Sequence, residues 1–160
     1  MAKTGHEKDG TIFVEVSMKV EKELMPELGR LELEGCRNVR EVVNYLLDVI
    51  CEVSSQWPAF RIRPREHSPS VLTGSTKLHL PENLYDKLNL EAKAYGVGLP
   101  EITRVFLWMG FVLHIKLVPK GTMVKKEEFA RLVRRELEKQ NRRGNCLHTL
   151  RIIWQTFLRR

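Results

Sequence analysis

Six polar side chains occupy alternate positions in two short stretches. Glu15, Ser17 and Lys19 lie in TIFVEVSMKV; Ser75, Lys77 and His79 lie in STKLHL. Ile12, Val14, Val16, Met18 and Val20 interleave the first set, and Thr76, Leu78 and Leu80 the second. A period of two sends the polar set to one face of a strand and the apolar set to the other. Two ammonium groups, two hydroxyls, an imidazole and a carboxylate make a hydrogen-bonding surface rather than a catalytic one. By default such a face is simply solvated.

Catalytic patterns are absent from the rest of the chain. His6, His67, His79, His114 and His148 share no HxxxH spacing, and no GxSxG, P-loop or GxGxxG occurs. GVG at 96–98 is a lone turn, too little for a nucleotide site. Cys36, Cys51 and Cys146 are odd in number and far apart, so neither a disulfide framework nor a CxxC metal pattern is present. Cys51 reads as core, and His114 as a packed or capping residue. No enzyme activity, cofactor or metal is expected.

The elements that carry the six side chains repeat. Each strand runs straight into a helical pattern: Leu24, Leu28 and Leu31 in the first case, Leu84, Leu88, Ala92 and Tyr95 in the second. At a constant offset of 60 residues Met18 falls on Leu78, Val20 on Leu80, Leu24 on Leu84, Leu28 on Leu88, Glu41 on Glu101, Val42 on Ile102 and Leu47 on Leu107. A match that persists across a change of period marks a structural repeat. A second helix follows in each unit. Asn38 with Glu41 three residues on has capping-box spacing. Gly96 ends the earlier helix of the second unit, Gly98 caps the next, and Pro100 sits in its first turn, where proline is tolerated. A lone strand leaves its backbone groups unpaired, so the two strands are expected to pair with each other in antiparallel fashion, above four helices.

Composition agrees with a soluble interior protein: 42% apolar and 29% charged residues, few cysteines and no signal-like N-terminus. The longest apolar run, 105–113, is far short of the ~20 residues that span a bilayer. The net charge of +7 is uneven. Residues 121–160 hold 11 Lys/Arg against 4 Asp/Glu, whereas residues 1–120 hold 16 of each. A basic C-terminal quarter suits a polyanionic partner or a solvated helix face.

The gap-free run KLHLPENLYDKLNLEAKAYGVGLPEITRVFL resembles the ribbon-helix-helix DNA-binding regulators of the Arc, MetJ and CopG type. The first unit resembles them less closely, with a turn about one residue longer. Two units in one chain are similar to the fused pairs of archaeal viral regulators. The resemblance implies a mostly α fold with a short two-stranded antiparallel ribbon, a tandem pseudo-dimer extended by C-terminal helices. It implies double-stranded DNA as partner and transcriptional regulation, chiefly repression, inside the cell. Its base readers would be Glu15, Ser17, Lys19, Ser75, Lys77 and His79. Its phosphate clamps would be the helix starts at Asn38, Val39 and Arg40 and at Gly98 and Leu99, the latter weakened because Pro100 lacks an N–H. Glu15 departs from the usual basic or polar choice; it would either accept from cytosine N4 or repel phosphate.

The remaining segments divide as a loose tail at 1–10, units at 11–52 and 73–118, a linker at 53–72 and a basic helical hairpin at 119–160. FRIR in the linker alternates like an edge strand, which would offer Arg61, Arg63 and Arg65 to phosphate; the alternative is an exposed basic linker. At the 60-residue offset, Glu41, Asn44, Asp48 and Glu52 become Glu101, Arg104, Trp108 and Val112. That face turns apolar and should not stay in water. The tail hairpin is expected to cover Trp108 and Val112, on the second unit or on a partner chain; homo-oligomerisation through Trp108 and the C-terminal helices is the alternative. Two other functions compete with specific DNA binding: a protein-interaction or assembly module on the same fold, and a non-specific nucleic-acid binder acting through the C-terminal helices.

Overall fold

The computed structural model describes residues 3–6, 10–56 and 74–142. Its described part is mostly helical around an antiparallel sheet. Strand β1 spans Lys3–His6, β2 Ile12–Val20 and β3 Gly74–Pro81. Helices α1 (Leu24–Leu28) and α2 (Val39–Gln56) follow β2. Helices α3 (Glu82–Tyr95), α4 (Leu99–Leu117) and α5 (Lys126–Arg142) follow β3.

The central pairing is the one expected. β2 and β3 run antiparallel from Phe13 opposite Pro81 to Val20 opposite Gly74. Val14, Val16, Met18 and Val20 of β2 and Leu78 and Leu80 of β3 are buried against the helices. The sheet has a third strand, however: β1 pairs with β2 from Lys3–Glu15 to His6–Ile12. The segment 1–10 expected to be a loose tail thus contributes a strand. Polar composition hid it, because an edge strand needs only backbone groups to satisfy the open side of β2. β1 reaches no further along β2 than Glu15, so the sheet is three strands wide at the Glu15 end and two at the Lys19 end.

The two helical arms differ. In the second, α3 continues to Tyr95 and stops at Gly96, whose φ of 68° suits glycine. In the first, α1 is only 5 residues long, and an irregular segment leads to α2. Gly29 and Gly35 (φ 83°) interrupt the helical pattern, and Leu33 drops into the core from the loop. The connection between the helices is longer by seven residues, 29–38 against 96–98, not by the one residue expected from the sequence. Val39 opens α2 and Leu99 opens α4, again 60 residues apart; the chain is unwound, not lengthened. α2 runs on to Gln56, past the boundary expected at 52.

α2 and α4 form the floor beneath the sheet. α4 is buried almost continuously from Ile102 to His114, the mark of a central helix. The two helices touch at Gly110, where an added Cβ would stand 3.0 Å from the Leu46 Cβ and 3.5 Å from Ile50 Cγ1. α5 lies across both. Phe129 and Val133 are fully buried, and the Phe129 ring stacks on Tyr45 at 5.9 Å and meets the His114 ring edge-on at 5.3 Å. Lys126 bonds Asp48, Arg134 bonds Glu52, and Lys116 of α4 bonds Glu136. The tail helix therefore covers the charged face of α2 in the first unit as well as the end of α4. Trp108 and Val112 are buried, as an apolar helix face requires. Residues 143–160, the second arm of the expected hairpin, and Arg61, Arg63 and Arg65 of the linker lie outside the described residues.

Among the described residues no single helix is long and apolar enough to cross a membrane, and no cluster of His, Cys, Asp or Glu is arranged to hold a metal ion. Cys51 is buried in the core, where desolvation pushes its thiol up to about 12.

Candidate nucleic-acid interface

The sheet face turned away from the helices gathers all six polar residues. Register places Glu15 opposite His79, Ser17 opposite Lys77 and Lys19 opposite Ser75. Ser17, Lys19, Ser75, Lys77 and His79 are exposed; Glu15 is half-buried. Directly opposed residues on an antiparallel pair share a face about 5 Å apart, and diagonal neighbours remain within reach of long side chains. Lys77 uses the diagonal: its Nζ lies 3.9 Å from Glu15 Oε1. The face is a continuous row of donors and acceptors with one internal ion pair.

A groove opens at each flank of this face, where a helix begins. The larger, about 820 Å³, is lined by Ser17, Met18, Lys19, Ser75, Thr76 and Lys77 from the strands and by Gly98, Pro100, Glu101 and Arg104 from the start of α4. The smaller, about 280 Å³, joins Thr76, Lys77, Leu78 and His79 to Val39, Arg40, Val43 and Asn44 at the start of α2, with Met25 beside them. Both expected helix starts thus flank the ribbon.

The two starts are finished differently. At α2, Asn38 Oδ1 accepts the Glu41 N–H at 3.0 Å, and the Glu41 carboxylate accepts the Arg37 N–H. Half of the capping box is made, the carboxylate reaching one residue past the cap to Arg37, and it brings a carboxylate to the helix start. Arg40 turns its guanidinium over the Phe13 ring, 5.3 Å from the centroid, a cation–π contact. At α4, Gly98 is the cap in extended conformation and no side chain caps the helix. The Leu99 and Glu101 N–H groups of that first turn have no partner within the helix, as at any helix start. The sequence expectation ranked α4 the weaker clamp because of Pro100. At α2 the Glu41 N–H is committed to Asn38, so each first turn keeps two N–H groups, those of Val39 and Arg40 and those of Leu99 and Glu101.

The sequence did not point to Arg104 as a groove residue or to Lys77 as common to both grooves. The spacing from Gly98 to Arg104 was the available signal, because it puts both near the same end of α4.

Comparison with family models, with curated proteins and with solved structures returns no match.

Proposed function

We propose that the chain is a tandem ribbon-helix-helix pseudo-dimer that binds double-stranded DNA in a sequence-specific way and regulates transcription, chiefly as a repressor. The observation that carries this reading is the register of β2 on β3. Ser17 pairs with Lys77, its own equivalent 60 residues on. Val16 pairs with Leu78, the equivalent of Met18, and Glu15 pairs with His79, the equivalent of Lys19. A residue that meets its own equivalent marks a twofold axis, as in an isologous dimer. Ile50 and Gly110 repeat the pattern in the helical floor. The grooves correspond too: Met18 and Lys19 with Leu78 and His79, Pro100 and Arg104 with Arg40 and Asn44.

A two-stranded ribbon of this kind fits the major groove of B-DNA and presents its outward side chains to base edges. Flanking helix starts and lysines position it on phosphates. The equivalent positions differ at all three reader pairs: Glu15 with Ser75, Ser17 with Lys77, Lys19 with His79. An asymmetric operator follows, unlike the near-palindromes that suit identical half-sites.

Selection from random duplex pools, followed by gel shift, tests this reading. Enrichment of one asymmetric sequence, with affinity lost in Lys77→Ala, is the expected result. Binding without enrichment would leave only polyelectrolyte attraction by the basic C-terminal quarter. A second reading, a protein-interaction module, is favoured by β1, which widens the sheet at the Glu15 end beyond the two strands that a groove about 12 Å wide admits. Absence of any duplex binding would favour it.

A further inference from the structure

Glu15 and Lys77 are the one ion pair on the outward sheet face among the described residues, and stability does not explain it. The Lys77 side chain is 66% exposed, the contact is 3.9 Å, and exposed pairs of this kind contribute little. A carboxylate on a DNA-facing surface repels phosphate unless something takes it up. Here the neighbouring ammonium does so only in part. Glu15 keeps lone pairs for a further donor, and Lys77 keeps N–H donors for further acceptors.

We propose that Glu15 and Lys77 act together as a two-atom reader of a single C·G base pair, with the cytosine on the Glu15 side. This rests on the reading of the sheet face as a DNA-binding ribbon. In the major groove cytosine offers an N4 amino donor, and its paired guanine offers O6 and N7 acceptors. The carboxylate accepts from N4 while the ammonium donates to O6 and N7, so the adjacent negative and positive ends match the adjacent donor and acceptor of one base-pair edge. Reversing the pair to G·C puts acceptor against carboxylate. An A·T pair with adenine on the Glu15 side still satisfies Glu15 through N6, but it gives Lys77 a single oxygen beside the thymine methyl. The pair thereby reads both base identity and strand. β1 lies on the other side of β2 from β3, so it does not come between Glu15 and Lys77, but it ends beside Glu15 and must clear the groove wall for the pair to reach a base edge.

The test is repeated duplex selection with the full-length chain, wild type and two variants, followed by affinity measurements on duplexes changed at one base pair. Wild type should prefer C·G at one position by roughly 10- to 100-fold over the reversed pair, as for good direct contacts. Glu15→Gln should relax that position alone and move its preference toward A·T, because an amide pairs with adenine N6 and N7. Lys77→Gln should weaken the guanine requirement at the same position. If Glu15→Gln binds every sequence more tightly with base preferences unchanged, Glu15 merely repels phosphate and the proposal fails while the DNA reading stands. If wild type enriches no sequence at all, both fail.

Discussion

Each flank of the ribbon carries a helix start, but the side chains there and the chain paths leading to them differ. At the α4 flank the groove is about 820 Å³, has Lys19, Lys77, Glu101 and Arg104 among its lining residues, and faces a helix start with no side-chain cap. At the α2 flank it is about 280 Å³, Asn38 and Glu41 close the helix start, Arg40 leans on Phe13, and β1 lies along the nearby half of β2. Equivalent positions in a homodimer must carry the same residue. On the proposed tandem reading, joining both units in one chain removes that constraint, so one flank can be wide and without a side-chain cap while the other is narrow and capped. On the proposed function the α4 flank supplies more of the grip and the α2 flank more of the discrimination, and DNA binds in one orientation.

The largest expected effect separates this polarity from a symmetric reader. Palindromes built from either half of the selected site should bind at least 10-fold more weakly than the asymmetric site, about 1.4 kcal/mol or more by the usual conversion. Equal affinity for all three in a gel shift would break the comparison. Lys77→Ala, which touches both grooves, should lower affinity for the selected site and relax its guanine requirement, read on duplexes changed at one base pair.

The shared floor gives the next effects. His114 is buried between α4 and the Phe129 ring, its Nε2 has no hydrogen-bond partner, and burial pushes the imidazole down to about 4 from its ordinary 6.5. The unfolded chain therefore binds more protons than the folded one between these values. Stability is complete above pH ~6.5 and falls as pH drops toward 4, by up to roughly 3 kcal/mol. Denaturant melts at several pH values should show this loss, and His114→Phe should flatten it. Gly110→Ala forces a Cβ to within 3.0 Å of the Leu46 Cβ and should destabilise by about 1–3 kcal/mol, read as a lower Tm with both flanks affected alike.

Smaller effects should distinguish the flanks. Asn38→Ala removes the side-chain cap of α2 and should cost about 1 kcal/mol of stability. Arg104→Ala should weaken DNA binding several-fold, whereas Asn44→Ala at the equivalent position should change it little, in titrations at fixed salt. A reversed ranking would assign the grip to the α2 flank instead.

α5 shows how side-chain chemistry joins the two units. Asp48 is set between Lys87 of α3, at 3.1 Å, and Lys126 of α5. Burial tends to raise its carboxyl, but the hydrogen bonds and charges of Lys126 and Lys87 outweigh that and hold it below the ordinary value. Breaking such a network by removing Asp48 alone would leave two cations without their common partner.

Local alternation and helical spacing by themselves determine much of this protein. Period two at 12–20 and 76–80, the switch to helical period, the Asn38–Glu41 and Gly96–Gly98 signals and the 60-residue offset each depend on neighbours a few residues away. They therefore located both long strands, the starts of α2 and α4, and the six outward side chains. The tertiary structure alone decided what depends on distant partners. β1 exists because β2 had an open edge, not because residues 3–6 favour a strand. α1 stops early because Leu33 has a place in the core that an unwound segment can reach. α5 crosses to α2 because Asp48 and Glu52 face its cations. The diagonal approach of Lys77 to Glu15 follows from a register that only the folded sheet fixes, since a shift by one residue would turn every reader inward.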